Sequence, residues 1–493
     1  MHSSTRQNFL PLFIICILSF VSRSYPRVYP DASRQNQLKP DNYGSASDVE
    51  FFFFDQNLDH FTYTPESYTT FRQRYAIDFS YWGGAKTNSP ILAYLGAESP
   101  MDSDLSVVGF LRDNGLHFKA LLVYIEHRYY GESMPFGSAK EALKNATTMG
   151  YFNTAQALAD YAEILMHIKD KYATKHSPII VIGGSYGGML ATWFRLKYPH
   201  VAIGALASSA PLLYFEDTVP KYGYFYVVTQ VIKKTSQTCY ETIRKSWDDI
   251  DRVAWHPNGL SILSEKFKTC APLNRSSDLK DYLESMYSLV VQYNGLPYYS
   301  VDATCKAIDS ESPKDTEDLL DRIFAGVVAQ FGNQVCYDIS IGSPPTNSEL
   351  AWMWQICSEL VMPIGLDKQD TLFQTNPFNM SDYTSKCESM YGISPRPHWI
   401  SAYYGGEDFK LSLRRFGSNI IFSNGLSDPY SVGGVLEDIS DTILAVKTNG
   451  SHCMDLVFET KEDPKWLVLQ RQKEVEIIDS WISIYQNDLK LEA

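Results

Sequence analysis

After its first two dozen residues the chain has no apolar run of the roughly 18 residues a membrane span requires, so nothing downstream is expected to cross a bilayer. It has no excess of positive charge either: 43 Lys and Arg face 57 Asp and Glu, a formal net charge of -14. With no basic patch in view, nucleic acid is not an expected partner. No cysteine or histidine spacing makes a zinc site, so no metal and no other cofactor is expected. Internal repeats and low-complexity tracts are missing too, which argues against a solenoid or a disordered array.

What is present is a chain of 493 residues with 44% hydrophobic content, enough for two or three domains and a sizeable core. Met1 to about Ser24 carries Arg6, an apolar stretch from Phe9 to Val21, then Ser22 and Ser24. That pattern reads as a signal peptide, too short and interrupted for a good span, with a retained anchor as the alternative. Residues 25–46 are polar and proline-dotted, and are expected to be a propeptide or N-terminal arm. Cys16 would leave with the signal. Of the seven other cysteines, six fall between Cys239 and Cys387, which suggests three disulfides in one region and an oxidising compartment. The seventh, Cys453, reads as a small buried hydrophobe. Sequons at Asn145, Asn274, Asn379 and Asn449 are candidate glycosylation sites.

The chemistry is carried by Val181-Ile182-Gly183-Gly184-Ser185-Tyr186-Gly187-Gly188-Met189. An apolar strand precedes this Gly-x-Ser-x-Gly turn and a helical stretch, Leu190 to Arg195, follows it. That context holds a serine hydroxyl clear of the backbone at a sheet edge. Farther on, the strand Asn419 to Gly425 runs into Asp428, and the strand Thr442 to Val446 is followed by Asn449-Gly450-Ser451-His452. The order Ser185, Asp428, His452 is that of an α/β-hydrolase, not of trypsin-like or subtilisin-like enzymes. His452 is the expected base and Asp428 its orienting acid. His60 and His127 are rival bases, but both precede the serine. Asp-Pro is also a common turn starter, so Asp428 taken alone would read as a turn residue.

From about Glu50 to Pro211 strand and helix are expected to alternate, with strands at Ile91–Leu95, Ala120–Ile125, Ile179–Ile182 and Ile203–Ser209, and a helix over Ala155–Tyr172. From about Leu212 the pattern turns to amphipathic helices, including Leu279–Gln292 and Thr316–Phe331. The expected organisation is therefore a first hydrolase part at 47–211, a helical cap insertion at 212–400 carrying the clustered cysteines, and a second hydrolase part at 401–493.

The strings Leu58-Asp59-His60-Phe61, Glu126-His127-Arg128-Tyr129-Tyr130-Gly131-Glu132-Ser133, Gly183 to Gly188, Asn424-Gly425-Leu426-Ser427-Asp428-Pro429 and Gly450-Ser451-His452 extend over nearly all of the mature chain. In them the protein resembles the lysosomal Pro-X carboxypeptidase and dipeptidyl peptidase 2 family of serine peptidases. The resemblance implies an α/β-hydrolase fold with a helical cap and cleavage after proline. It implies the pairings Cys239–Cys305, Cys270–Cys336 and Cys357–Cys387, and a proline pocket lined by Met189, Met362 and residue 430. It also implies an oxyanion hole at the backbone N–H groups of Tyr186 and of the loop at Ala97. Two departures stand out. Tyr430 replaces the family's tryptophan after Asp-Pro, and Gly96-Ala97-Glu98-Ser99 replaces its usual Gly-Asn-Glu-Gly.

The expected function is removal of the last residue from Pro-X peptides through an acyl-enzyme. A dipeptidyl peptidase releasing X-Pro, a lipase or esterase, and a non-catalytic hydrolase-fold binding protein are the alternatives. Proline-containing peptides are the expected partners, in an extracellular or a lysosomal or vacuolar setting. A homodimer is among the assemblies open to the chain.

Overall fold

The computed structural model describes residues 49–216, 218–296, 299–310, 319–339, 345–366, 371–405 and 407–492. The expected signal peptide and propeptide lie outside them. An eight-stranded sheet runs in the order β1-β2-β4-β3-β5-β6-β7-β8. The strands are β1 (Val49–Asn57), β2 (Thr70–Asp78), β3 (Ile91–Leu95), β4 (Leu121–Ile125), β5 (Ile179–Gly184), β6 (Gly204–Ser208), β7 (Ile420–Gly425) and β8 (Ile443–Thr448). β1 and β2 pair antiparallel, β2 meets β4 antiparallel, and every other pairing is parallel. This is the α/β-hydrolase arrangement.

One expectation fails at the start. Strand and helix do not alternate from Glu50; β1 and β2 form an antiparallel pair with only a short 3-10 turn between them. β1 lies at the sheet edge and leaves Phe51 and Phe53 exposed. Only one face is covered, with Phe52 and Phe54 partly buried on the sheet core, and the antiparallel pair needs no crossover helix. The alternation begins at β3.

The parallel strands are apolar at nearly every position because both faces are covered. Ile179 and Val181 point to one face and Ile180 and Ile182 to the other. The first face packs against α2 (Thr154–Lys171) and α3 (Tyr186–Lys197), through Leu158, Tyr161, Leu190 and Phe194. The second packs against α1 (Phe110–Phe118) and the C-terminal α10 (Lys465–Glu492), through Phe110, Ile478 and Trp481.

A separate core joins α4 (Gly223–Thr235), α5 (Gln237–Ala254), α6 (Ser276–Gln292), α7 (Val301–Asp309) and α8 (Leu319–Phe331) around Trp247, Leu283, Tyr287, Ile308 and Ile323. Residues 316–318 of the helix expected from Thr316 lie outside the described residues. Disulfide Cys239–Cys305 ties α5 to α7, Cys270–Cys336 closes the loops flanking α6 and α8, and Cys357–Cys387 anchors α9 (Asn347–Ser358). Leu360, Ile400, Tyr404, Phe409 and Leu413 pack on the sheet core instead of this helical one. The chain thus returns to the sheet layer well before β7 begins at Ile420. Among the described residues, no helix is long and apolar enough to cross a membrane.

Candidate active site

Open parallel sheets present their ligand sites beyond the carboxyl ends of their strands. Ser185 follows β5 there, with φ 57 and ψ -122, a conformation that L-residues rarely adopt. The turn closes so tightly that a Cβ on Gly183 would lie 2.1 Å from the Gly187 carbonyl oxygen, and one on Gly188 would lie 2.7 Å from the Ser208 carbonyl oxygen. Only hydrogen fits at either place, and the strain is confined to the serine itself.

The acid and the histidine arrive from β7 and β8. Asp428 caps a 3-10 turn, where its Oδ1 accepts from the Tyr430 N–H at 2.9 Å. Its Oδ2 lies 2.7 Å from Nδ1 of His452, and both side chains are buried. Because a carboxylate only accepts, Nδ1 carries the proton and Nε2 is left as the basic nitrogen. Burial by itself would push the His452 imidazole down. The charges of Asp428 and then Cys453, with the hydrogen bonds to both, outweigh that and hold His452 well above its ordinary value.

Two adjacent residues at the end of β6 fasten both halves. The Ser208 carbonyl accepts from the Ser185 N–H at 2.9 Å, and the Ser209 hydroxyl accepts from the Cys453 N–H at 2.9 Å. Cys453 then packs on the nucleophile turn: a Cβ on Gly184 would lie 3.0 Å from its Sγ. The thiol is free and partly buried. The helical layer holds the histidine as well, since the Gln292 carbonyl at the end of α6 accepts from the His452 N–H at 2.9 Å. Rings of Tyr293 and Tyr430 flank the imidazole, with centroids 5.6 and 5.7 Å away. Tyr430 also meets Tyr214 and Tyr224, so the residue that departs from the family pattern sits in an aromatic cluster between the histidine and the helical core.

The other expected positions fall as follows. Tyr186 opens α3, where the first N–H groups have no partner within the helix. Ala97 lies just past β3 and packs on that turn, 3.4 Å from a Cβ built on Gly187. Met189 is buried in the sheet core one helical turn after Ser185, and Met362 is buried just beyond α9. The four sequon asparagines, Asn145, Asn274, Asn379 and Asn449, are exposed. Neither rival histidine joins Asp428. His60 contacts Asp160 and Glu163. His127 is fully buried: its Nδ1 donates to the Arg128 carbonyl at 2.7 Å, so its Nε2 accepts from the Tyr186 hydroxyl at 3.1 Å. Burial drives it down to about 4, which keeps it neutral.

Sequence reasoning did not assign three neighbours of this site. Tyr293 flanks the histidine. Gln355 of α9 donates to the Tyr186 hydroxyl at 2.7 Å and accepts from Tyr130 at 2.8 Å. Glu98, in the loop after β3, has an Oε2 shut away from solvent with no hydrogen-bond partner. An acidic residue in a strand-exit loop was the one signal available for it. The long Glu126-to-Ser133 string proves to be scaffold. Glu126 accepts from the N–H groups of Met101, Glu132 and Ser133, and Arg128 forms a bidentate buried pair with Asp160.

A lysosomal Pro-X carboxypeptidase from Bos taurus is 37% identical over 448 residues, covering 87% of each chain. The corresponding protein of Homo sapiens is 37% identical over 453 residues, covering 89% of each. A prolyl carboxy peptidase like protein of Caenorhabditis elegans is 30% identical over 460 residues, 86% of this chain and 88% of that one. The family model described as serine carboxypeptidase S28 matches residues 56–474. With a strained serine, a buried Asp–His pair and a match over most of its length, the chain belongs to the serine carboxypeptidase S28 family and is a serine-type peptidase.

Proposed function

We propose that this enzyme is an exopeptidase that removes the final residue from peptides ending in Pro-X. The reading is carried by the Ser185 turn and the Asp428–His452 pair, fastened to each other through Ser208 and Ser209. Ser185 Oγ attacks the proline carbonyl while His452 Nε2 takes its proton. The N–H groups of Tyr186 and Ala97 hold the oxyanion. His452 then passes the proton to the leaving amine, and water, activated the same way, releases the acyl group from Ser185. Asp428 keeps the imidazole in the required tautomer throughout.

Met189, Met362 and Tyr430 wall an apolar pocket for the proline ring. The helical layer within residues 212–400 acts as the cap. The contact of this layer with His452 through the Gln292 carbonyl supports a cap over the leaving side, where it excludes long chains. The disulfides fit the oxidising secretory pathway, and within it we assign the protein to the extracellular space or to a lysosomal or vacuolar compartment.

The test is a mass-spectrometric digest at pH 4 to 8 of an N-blocked peptide ending in Pro-X and a C-blocked peptide beginning X-Pro, with Ser185→Ala alongside. Loss of the last residue from the first peptide, absent in the variant, is expected. Dipeptide release from the second would replace this reading with a dipeptidyl peptidase. No cleavage of either would overturn the assignment to proline.

A further inference from the structure

An enzyme that cuts only the last peptide bond must sense the carboxylate ending the chain. That carboxylate is two bonds from the scissile nitrogen, which takes its proton from the catalytic histidine. Whatever reads it therefore lies close to that histidine. Arginine or lysine would be the usual choice, but among the described residues the groups that contact His452 or act on it electrostatically include Asp428, Tyr293, Tyr430, Cys453 and Glu98, with no arginine or lysine among them.

Glu98 lies beside the nucleophile by topology. β3 and β5 run parallel in register up to Tyr94 opposite Ile182, so the loop Gly96 to Ser99 exits alongside Gly184 to Tyr186. The loop is pinned there, with the Tyr161 hydroxyl donating to the Gly96 carbonyl at 2.6 Å and Ser99 Oγ donating to Asp104 at 3.0 Å. The Glu98 carboxyl is withdrawn from solvent yet leaves Oε2 without a partner, a costly arrangement for a group with no ligand to meet.

Resting on the exopeptidase reading above, we propose that Glu98, as a neutral carboxylic acid, donates a hydrogen bond to the terminal carboxylate of the leaving residue. An O–H to carboxylate bond is among the stronger hydrogen bonds available in a site without a cation. The groups facing Glu98 suit the neutral form. Tyr94, Asp104, Tyr130, Tyr293 and Tyr430 interact with it electrostatically, each disfavouring a further negative charge, and His452 is the one cation acting on it among the described residues. Burial raises the Glu98 carboxyl above its ordinary value, and a hydrogen bond from its own backbone N–H and then the His452 charge only partly reverse this. Terminal-carboxylate binding therefore weakens as pH rises and Glu98 ionises, because two carboxylates then face each other.

The experiment measures kcat and KM for an N-blocked Pro-X acid and its C-terminal amide, from pH 4 to 8, with wild type, Glu98→Gln and Glu98→Ala. In wild type, KM for the acid rises with pH while KM for the amide does not. Glu98→Gln still offers an N–H donor, so it keeps the preference for acid over amide but loses the pH dependence of KM. Glu98→Ala loses about tenfold or more of the preference, the size of a missing charge-assisted hydrogen bond. If wild type cuts the acid and both variants keep its preference and pH profile, the inference fails while the exopeptidase reading stands. An equal loss on acid and amide in both variants would also overturn it, since Glu98 would then serve the chemistry and not the terminus. Failure of wild type to cut the acid at any pH overturns both.

Discussion

Glu359 offers a sharp test of how burial couples this fold to pH. Its carboxylate sits just after α9, at the start of α2, where it accepts from the Thr154 N–H at 2.7 Å and the Thr154 hydroxyl at 3.2 Å. The side chain is 3% exposed. Burial raises it from an ordinary 4.5 to about 7, against the opposing hydrogen bonds from Thr154 and Trp399. A carboxyl raised in the folded state contributes stability that is fully present below its unfolded value and is lost as pH climbs through its folded one. At about 1.4 kcal/mol per unit, the whole shift amounts to about 3 kcal/mol, with about 2.5 kcal/mol lost between pH 5 and pH 8. Calorimetric melts of wild type and Glu359→Gln at both pH values isolate this group from the other buried carboxyls. The wild type should lose a few degrees more than the variant across that interval. Parallel pH dependences in the two proteins would refute the reasoning.

Asp428→Asn should lower kcat by about ten-thousandfold through loss of the required tautomer. With the anion gone the imidazolium is less favoured, so the acid limb of the kcat/KM profile should move to lower pH. A limb that stays in place would show that Asp428 does not hold His452 up. Gly183→Ala drives a Cβ into backbone 2.1 Å away, which no side-chain rotation relieves. Its expected cost is about 3 kcal/mol or more, and a melting temperature equal to wild type would contradict it.

Local constraints made much of the protein legible. The strands at Ile91, Leu121, Ile179 and Ile420 read as apolar runs because parallel strands are covered on both faces. The Ser185 turn was legible because its strained residue and the tightest of its glycine requirements, Gly183 against Gly187, lie within six residues. Asp428 and His452 were findable because strand ends and chain order are written along the chain. The β1–β2 pair was not, since a half-covered edge strand carries no mark of which neighbour it will join. Likewise no local pattern could say that Ser208 and Ser209 would clasp the serine turn to the histidine loop, or that His127 would be walled in and neutral.

By itself, then, the sequence determined which residues could act: a nucleophile, an acid and a base, each bound to a turn that its own neighbours dictate. The tertiary structure decided which of them meet. It alone set β3 between β4 and β5, brought Glu98 beside the serine turn, and hung the His452 loop from α6. The reason is physical: turn strain and strand burial are short-range along the chain, whereas a carboxyl's solvation and charge depend on groups that only folding assembles.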